Sequence, residues 1–262
     1  MRNRRRLDEA LVERGLVENR SRARALIMAA DILVNGFPVT RAGASVRSDD
    51  KLTVKAPPRF VSRGGDKLEH ALTAFGIAVN GLIAADFGAS TGGFTDCLLQ
   101  RGAARVYAID VGYGQLASRL RADPSVIVME RTNVRHLVTL PDRVDLVTID
   151  VSFIGLSLVL PTARNLLSER GRIVALIKPQ FEAGRVNVGR GGVVRDSRVH
   201  RRVLEDHFTT TADLGLGITG LAASPLRGPA GNIEFLADLA PNVSSIPMDD
   251  AIDNALAEAP PE

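Results

Sequence analysis

A chain of 262 residues, 45% hydrophobic and 24% charged, can bury a sizeable core and has ordinary globular usage, which excludes fibrous and wholly disordered readings. No stretch approaches the ~18 consecutive apolar residues of a membrane span, and Met1-Arg2-Asn3-Arg4-Arg5-Arg6 runs into Asp8-Glu9 without the apolar core of a secretory signal, so a cytoplasmic protein with no membrane span is expected. The net charge of +3 divides unevenly: residues 1–65 hold 14 Lys/Arg against 7 Asp/Glu and residues 66–262 hold 19 against 23, which sets a basic module ahead of an acidic body and points to a polyanionic partner.

In the basic module Leu7, Ala10 and Leu11, with Val12 close by, have helical spacing, and Gly15 ends that helix. Ser21 caps a second predicted helix over 22–30, with Ala25, Leu26 and Ala29 as its apolar stripe. Ile32-Leu33-Val34, the turn Asn35-Gly36 and Leu52-Thr53-Val54 read as short strands with hairpin chemistry. Arg6-Leu7-Asp8 with Leu11, Ser21-Arg22 with Ala25, and Val34-Asn35-Gly36 together resemble the RNA-binding fold named after ribosomal protein S-four; Ala30 stands where that family commonly has glycine. The resemblance implies an RNA-facing surface at Arg6, Arg20, Arg22, Arg24 and Arg41.

Ala56-Pro57-Pro58-Arg59 reads as a stiff, extended linker, because each proline fixes its own backbone and biases its predecessor away from helix. The expected organisation is an RNA-binding domain at 1–56, a linker at 57–61, a second domain at 62–240 and a mobile acidic tail at 241–262. In the second domain the apolar runs 82–87, 106–109, 126–129, 144–149 and 173–177 alternate with helix-length segments, which indicates a parallel sheet covered on both faces. Segments 217–223 and 232–239 are joined too tightly for a parallel crossover, so they form an antiparallel pair closing the sheet edge. This α/β pattern resembles the seven-stranded, Rossmann-like class I S-adenosylmethionine-dependent methyltransferase fold, preceded here by a small α+β RNA-binding domain.

Asp86-Phe87-Gly88-Ala89-Ser90-Thr91-Gly92-Gly93-Phe94 follows the first strand of this sheet and opens a helix, the required context for a glycine-rich ligand loop. The spacing is not G-x-G-x-x-G. It resembles the methyltransferase loop that cradles the amino-acid end of S-adenosylmethionine, which implies that Asp86, Gly88, Ser90, Thr91, Gly92, Gly93 and Phe94 bind that cofactor. Asp110, 22 residues after Gly88 at the end of the second strand, is placed to accept both ribose hydroxyls. Asn133 is a candidate for the adenine edge or a plain turn residue, and Asp150 joins the same rim.

Four charged residues occupy places where a fold alone would favour apolar ones. Lys67 shares the apolar stripe of a predicted helix over 63–75, Asp150 ends the fourth strand, Lys178 ends the fifth, and Glu234 sits inside the last strand between Ile233 and Phe235. Each has an ordinary explanation as a snorkelling or strand-end side chain. Ligands of open α/β sheets, however, bind beyond the carboxyl ends of parallel strands, where Asp150 and Lys178 fall. Transfer to a ribose 2′-hydroxyl needs a group that removes or orients a weakly acidic proton, and a lysine does so only in its neutral form. Lys178 is therefore expected to act on the hydroxyl, Asp150 to orient it, and Lys67 and Glu234 to complete the network. The set resembles the tetrad of the heat-shock (FtsJ-like) 2′-O-methyltransferases. Cys97, the only cysteine, allows no disulfide and no Cys-clustered zinc site, and no metal is expected. Pyrimidine C5 methylation would need a nucleophilic cysteine, and Cys97 lies in the helix behind the glycine loop. Methylation of an exocyclic nitrogen is the closer alternative, since Asp150-Val151-Ser152-Phe153 faintly resembles D/N-P-P-F/Y but lacks both prolines.

Ser62-Arg63-Gly64-Gly65-Asp66-Lys67-Leu68, the glycine loop, Ile149-Asp150-Val151-Ser152-Phe153-Ile154, Leu176-Ile177-Lys178-Pro179-Gln180-Phe181-Glu182 and Gly231-Asn232-Ile233-Glu234-Phe235 together resemble the TlyA family, often labelled haemolysin A, from about Arg6 to Leu239. The resemblance implies an S-adenosylmethionine-dependent rRNA 2′-O-methyltransferase acting on cytidine in large-subunit and, in longer members, small-subunit rRNA, with ribosomal RNA or ribosomal subunits as partner. Arg185 and Arg190, in the glycine-rich segment 182–194, read as a loop over the RNA or a plain surface loop. Two other readings stand beside it: a non-catalytic RNA-binding or ribosome-assembly factor, and a haemolysin.

Overall fold

A computed structural model describes residues 4–55 and 58–260; Ala56 and Pro57 of the expected linker and the last two residues of the expected tail lie outside the described residues. The chain divides into two compact units after Pro58.

The first unit comprises β1 (Arg4–Arg6), α1 (Leu7–Glu13), α2 (Arg20–Met28), β2 (Ile32–Val34), β3 (Phe37–Pro38), β4 (Ser45–Arg47) and β5 (Leu52–Val54). β2 pairs antiparallel with β3 and with β5, and the turn between β2 and β3 places Asn35 at φ 53° and Gly36 at φ 88°, the left-handed pair of a type I′ hairpin. β1 pairs with β4, a strand that three consecutive arginines do not announce. The second helix is capped by Asn19, not Ser21: the Asn19 side chain accepts the Arg22 N–H at 2.9 Å. Ala23 and Ile27 join the core with Leu7, Leu11 and Ile32, and the expected stripe residues Ala25 and Ala29 are exposed. Ala30 adopts the left-handed φ of 59° that glycine takes more readily, so the turn survives its substitution.

The second unit comprises α3 (Arg63–Ala74), β6 (Ile83–Phe87), α4 (Gly93–Gln100), β7 (Arg105–Ile109), α5 (Ser118–Arg121), β8 (Val126–Met129), β9 (Val144–Ile149), α6 (Leu160–Leu166), β10 (Leu167–Ile177), α7 (Pro179–Glu182), α8 (Ser197–Asp213), β11 (Leu216–Ala223), β12 (Phe235–Pro241) and α9 (Met248–Ala257). The sheet runs β8-β7-β6-β9-β10-β12-β11, with β8 through β10 parallel and β12 antiparallel to both of its neighbours. The expected antiparallel pair is present, but its later strand inserts between β10 and β11 and leaves β11 at the edge. Strand alternation sorts the core: Phe87, Ile109, Ile149 and Ile177 join one apolar cluster, while Ala84, Val106, Leu146 and Leu176 join the other. Ligand-facing loops therefore leave the carboxyl ends of strands buried on both faces, a rigid base for a site.

The segment after residue 240 departs from expectation. It is not a mobile tail: α9 buries Ala251, Ile252 and Ala255 in the core cluster that also contains Phe208 of α8 and Ile218 of β11. The spacing of these apolar residues outweighs the acidic, alanine-rich composition on which the tail reading rested. Among the described residues no helix is long and apolar enough to cross a membrane.

Candidate active site

The glycine loop is shaped by close backbone approach. Gly88 has φ 85°, and a Cβ there would lie 2.6 Å from the Asp150 carbonyl oxygen, so only glycine lets the ends of β6 and β9 meet. Ser90 takes the strained φ of 49° and donates its N–H to Asp110 Oδ2 at 2.8 Å, while Gly112 N–H donates to Oδ1 at 2.7 Å. Backbone amides thus aim both Asp110 oxygens, and each retains a lone pair for a ligand hydroxyl. Asn133 caps a short 3-10 turn by accepting the Arg135 N–H at 3.0 Å, so its turn role is real, yet it also borders a cavity. That cavity, about 510 Å³, lies among Gly88, Asp110, Asn133 and the segment Asp150–Ile154. A second cavity of about 210 Å³ is lined by Ser62, Arg63, Lys67, Thr91, Gly93, Phe94 and Pro229. Gly88, Ser90 and Asp150 border both.

Two residues of the expected cofactor set border neither cavity. Asp86 is fully buried and accepts hydrogen bonds from the hydroxyls of Thr95 at 2.7 Å and Thr148 at 3.2 Å. Burial, reinforced by the nearby Asp150 charge, pushes its carboxyl up to about 7. Gly92 packs against the leucines of the α5 region, where a Cβ would meet Leu120. Both residues shape the loop from behind.

The four charged residues come together as two ion pairs. Lys67 Nζ donates to Glu234 Oε2, with both side chains buried. Lys178 Nζ lies 2.5 Å from Asp150 Oδ1 and donates to the Val151 carbonyl at 2.9 Å and to Ser152 Oγ at 3.0 Å. Lys67 and Asp150 border the same cavity, which brings both pairs to one site. Glu234 is not inside the last strand but immediately precedes β12, and its carbonyl accepts the Ser224 N–H at 2.8 Å. Burying charged pairs costs desolvation energy that an apolar core would avoid, so clustering them beside a cavity favours chemistry over packing. Cys97 is buried, with its thiol pushed up chiefly by burial, and it borders neither cavity.

Several residues at the site escaped the sequence reading. Ser62, Arg63 and Pro229 line the smaller cavity. Phe153 borders the larger one at φ 64° with 90% of its surface exposed, its ring 5.0 Å from that of Phe181. A phenylalanine in an apolar run reads as core; only the left-handed backbone turns it outward.

In the first unit, Arg6, Arg20 and Arg24 converge on Asp8, which is fully buried: Arg6 Nε lies 3.0 Å from Oδ1, and Arg20 Nη2 and Arg24 Nε each lie 3.2 Å from Oδ2. Their guanidinium groups hold the Asp8 carboxyl well below the usual carboxylate range. About half of each arginine side chain remains exposed, so Asp8 gathers the three on one surface. Arg22 and Arg41 are exposed, as are Arg185 and Arg190 on two short 3-10 turns. Asn232 ties down the end of that segment by accepting the Val194 N–H and donating to the Gly192 carbonyl, each at 2.9 Å.

The FtsJ-like methyltransferase family matches residues 60–241, and the S4 domain matches residues 5–52. The chain is 45% identical over 268 residues to the 16S/23S rRNA (cytidine-2′-O)-methyltransferase TlyA of Mycobacterium tuberculosis, covering 99% of this chain and 100% of that protein. The solved structure of a candidate hemolysin from Streptococcus thermophilus superposes with a TM-score of 0.76 at 40% identity, covering 98% of this chain and 96% of that one. A candidate S-adenosylmethionine-dependent methyltransferase from Listeria monocytogenes shares the fold, with a TM-score of 0.52 at 14% identity over 68% of this chain and 97% of that one.

Proposed function

The chain belongs to the FtsJ-like methyltransferase family, among the TlyA proteins with an S4 domain in front, and on that premise we propose that it methylates the ribose 2′-oxygen of a cytidine in ribosomal RNA. The observation that carries the proposal is the convergence of two lysine–carboxylate pairs on the rim of a glycine-loop cavity.

The cavity residues fit S-adenosylmethionine. Gly88 leaves room where any side chain would clash, Asp110 offers a carboxylate already aimed by two amides, and the first amides of α4 favour a carboxylate end of the ligand. Bound there, S-adenosylmethionine supplies an electrophilic methyl group on a sulfonium sulfur. The protein supplies the rest. Lys178, fixed by Asp150, Val151 and Ser152, orients the 2′-hydroxyl and, in its amine form, takes the proton as the oxygen gains the methyl. Asp150 sets the direction of the amine, and Lys67, held by the buried Glu234, lines the same cavity. Phe153 offers an exposed ring on which a base can stack. Arg6, Arg20, Arg22, Arg24 and Arg41 of the S4 domain, with Arg185 and Arg190, supply cations for RNA phosphates.

Lys178→Ala is expected to lower single-turnover methyl transfer to rRNA by about 10²–10⁴-fold, the usual loss for a proton-transfer group, while calorimetry finds S-adenosylmethionine binding unchanged. A wild-type rate in that variant would remove Lys178 from the mechanism.

A further inference from the structure

Glu182, at the end of the Lys178-to-Glu182 stretch, plays no part in the mechanism above, yet its half-buried side chain is anchored as well. Its Oε1 accepts the N–H of Leu156 at 2.8 Å. A Cβ on Gly155 would come within 3.0 Å of its Oε2, so the loop lies directly against the carboxylate. Beneath it His207 of α8, buried and with no hydrogen-bond partner for Nε2 among the described residues, holds that nitrogen 3.9 Å from Oε1. Burial pushes the Glu182 carboxyl up and the His207 imidazole down to about 4, so the imidazole is uncharged near neutral pH.

These contacts make an arch of residues 151–156. At its near foot, Lys178 donates to the Val151 carbonyl and the Ser152 hydroxyl; at its far foot, Glu182 accepts from Leu156. Lys178 immediately precedes α7 and Glu182 is its last residue, and Phe181 between them packs its ring 5.0 Å from Phe153 at the crown. Phe153 is held in a left-handed conformation that a free loop would leave, because that region is costly for a residue with a side chain. A loop kept in such a conformation needs restraint at both ends.

We propose that Glu182 is a positioning residue for methyl transfer: it pins the far foot of the arch so that Asp150, Lys178 and Phe153 keep one mutual arrangement. This inference rests on the methyltransferase reading. The Leu156 foot lies outside the cavity that Gly88 and Asp110 border, so loosening it is expected to lower turnover more than cofactor affinity.

The test is single-turnover transfer to ribosomal subunits that lack the modification, with cofactor affinity measured by calorimetry. Glu182→Ala is expected to lower the rate at saturating subunits about 30-fold, with cofactor affinity within about twofold; each factor of ten corresponds to about 1.4 kcal/mol. Glu182→Gln, whose carbonyl still accepts from Leu156 and whose amide can donate to His207, is expected to restore the rate to within about threefold. Gly155→Ala keeps the carboxylate, and its φ of −74° suits any residue, but the added methyl crowds Oε2, so it is expected to slow transfer in the same way without removing a buried charge. Folded Glu182→Ala and Gly155→Ala proteins that both transfer at the rate of an active wild type would overturn the inference alone, as would a Glu182→Gln variant as slow as Glu182→Ala. A wild type inactive on every rRNA offered would overturn the methyltransferase reading beneath it.

Discussion

Asp86 shows how one buried carboxyl links the site to stability. Its unfolded value is near 3.8 and its folded value is pushed up to about 7, chiefly by burial between Thr95 and Thr148. Between those values the folded chain holds a proton that the unfolded chain has released, so stability is fullest below about pH 4 and falls as pH rises toward 7. Asp86→Asn removes this titration. Thermal melts are expected to show the variant gaining on wild type from pH 4 to pH 8; an unchanged difference across that range would contradict the assignment. At this scale the sequence was legible where backbone geometry demands a residue type, as at Gly88, or where charge interrupts a strand end, as at Asp150 and Lys178. It named Phe153 and Glu182 within motifs but gave them no role, since their placement depends on a left-handed backbone and on partners 26 or more positions apart in the chain or on another helix. Asp86 and Gly92 belonged to the right loop but face away from its cavities, because a loop motif names a segment without saying which side chains turn inward.

At the level of elements, continuous apolar strands announced themselves, and the short link between β11 and β12 required their antiparallel pairing. The insertion of β12 inside the sheet was not legible, since strand order is decided by long-range pairing rather than local pattern. The last helix was misread because its composition is acidic while its buried residues are few. Ile252 is fully buried there, and Ile252→Ala is expected to cost about 3 kcal/mol, read as a lower denaturant midpoint. No shift would restore the picture of a loose tail. In the S4 domain, α1 and α2 are joined by the arginines around Asp8 as well as by apolar packing. Asp8→Asn adds a net positive charge, which simple electrostatics would translate into tighter RNA binding. Loss of the carboxylate releases the three guanidinium groups from one surface, so RNA affinity is instead expected to fall about tenfold, comparable to losing one charge-assisted hydrogen bond. Filter binding that finds equal or tighter affinity would contradict the arrangement.

For the whole molecule, charge and chemistry divide between the two units: residues 1–58 hold 12 Lys/Arg against 7 Asp/Glu, while the ion-paired cavity belongs to the second unit. Each division follows from residue types visible in the chain. The ribose, as opposed to a base nitrogen, is favoured by the two lysine–carboxylate pairs and by the absence of both prolines from Asp150-Val151-Ser152-Phe153. The most direct measurement is nuclease digestion and mass spectrometry of unmodified ribosomal RNA after incubation with the protein and methyl-labelled S-adenosylmethionine. The account predicts label on the 2′-oxygen of cytidine, absent when Lys178→Ala replaces wild type. Label on a base, or none on any RNA, would contradict it.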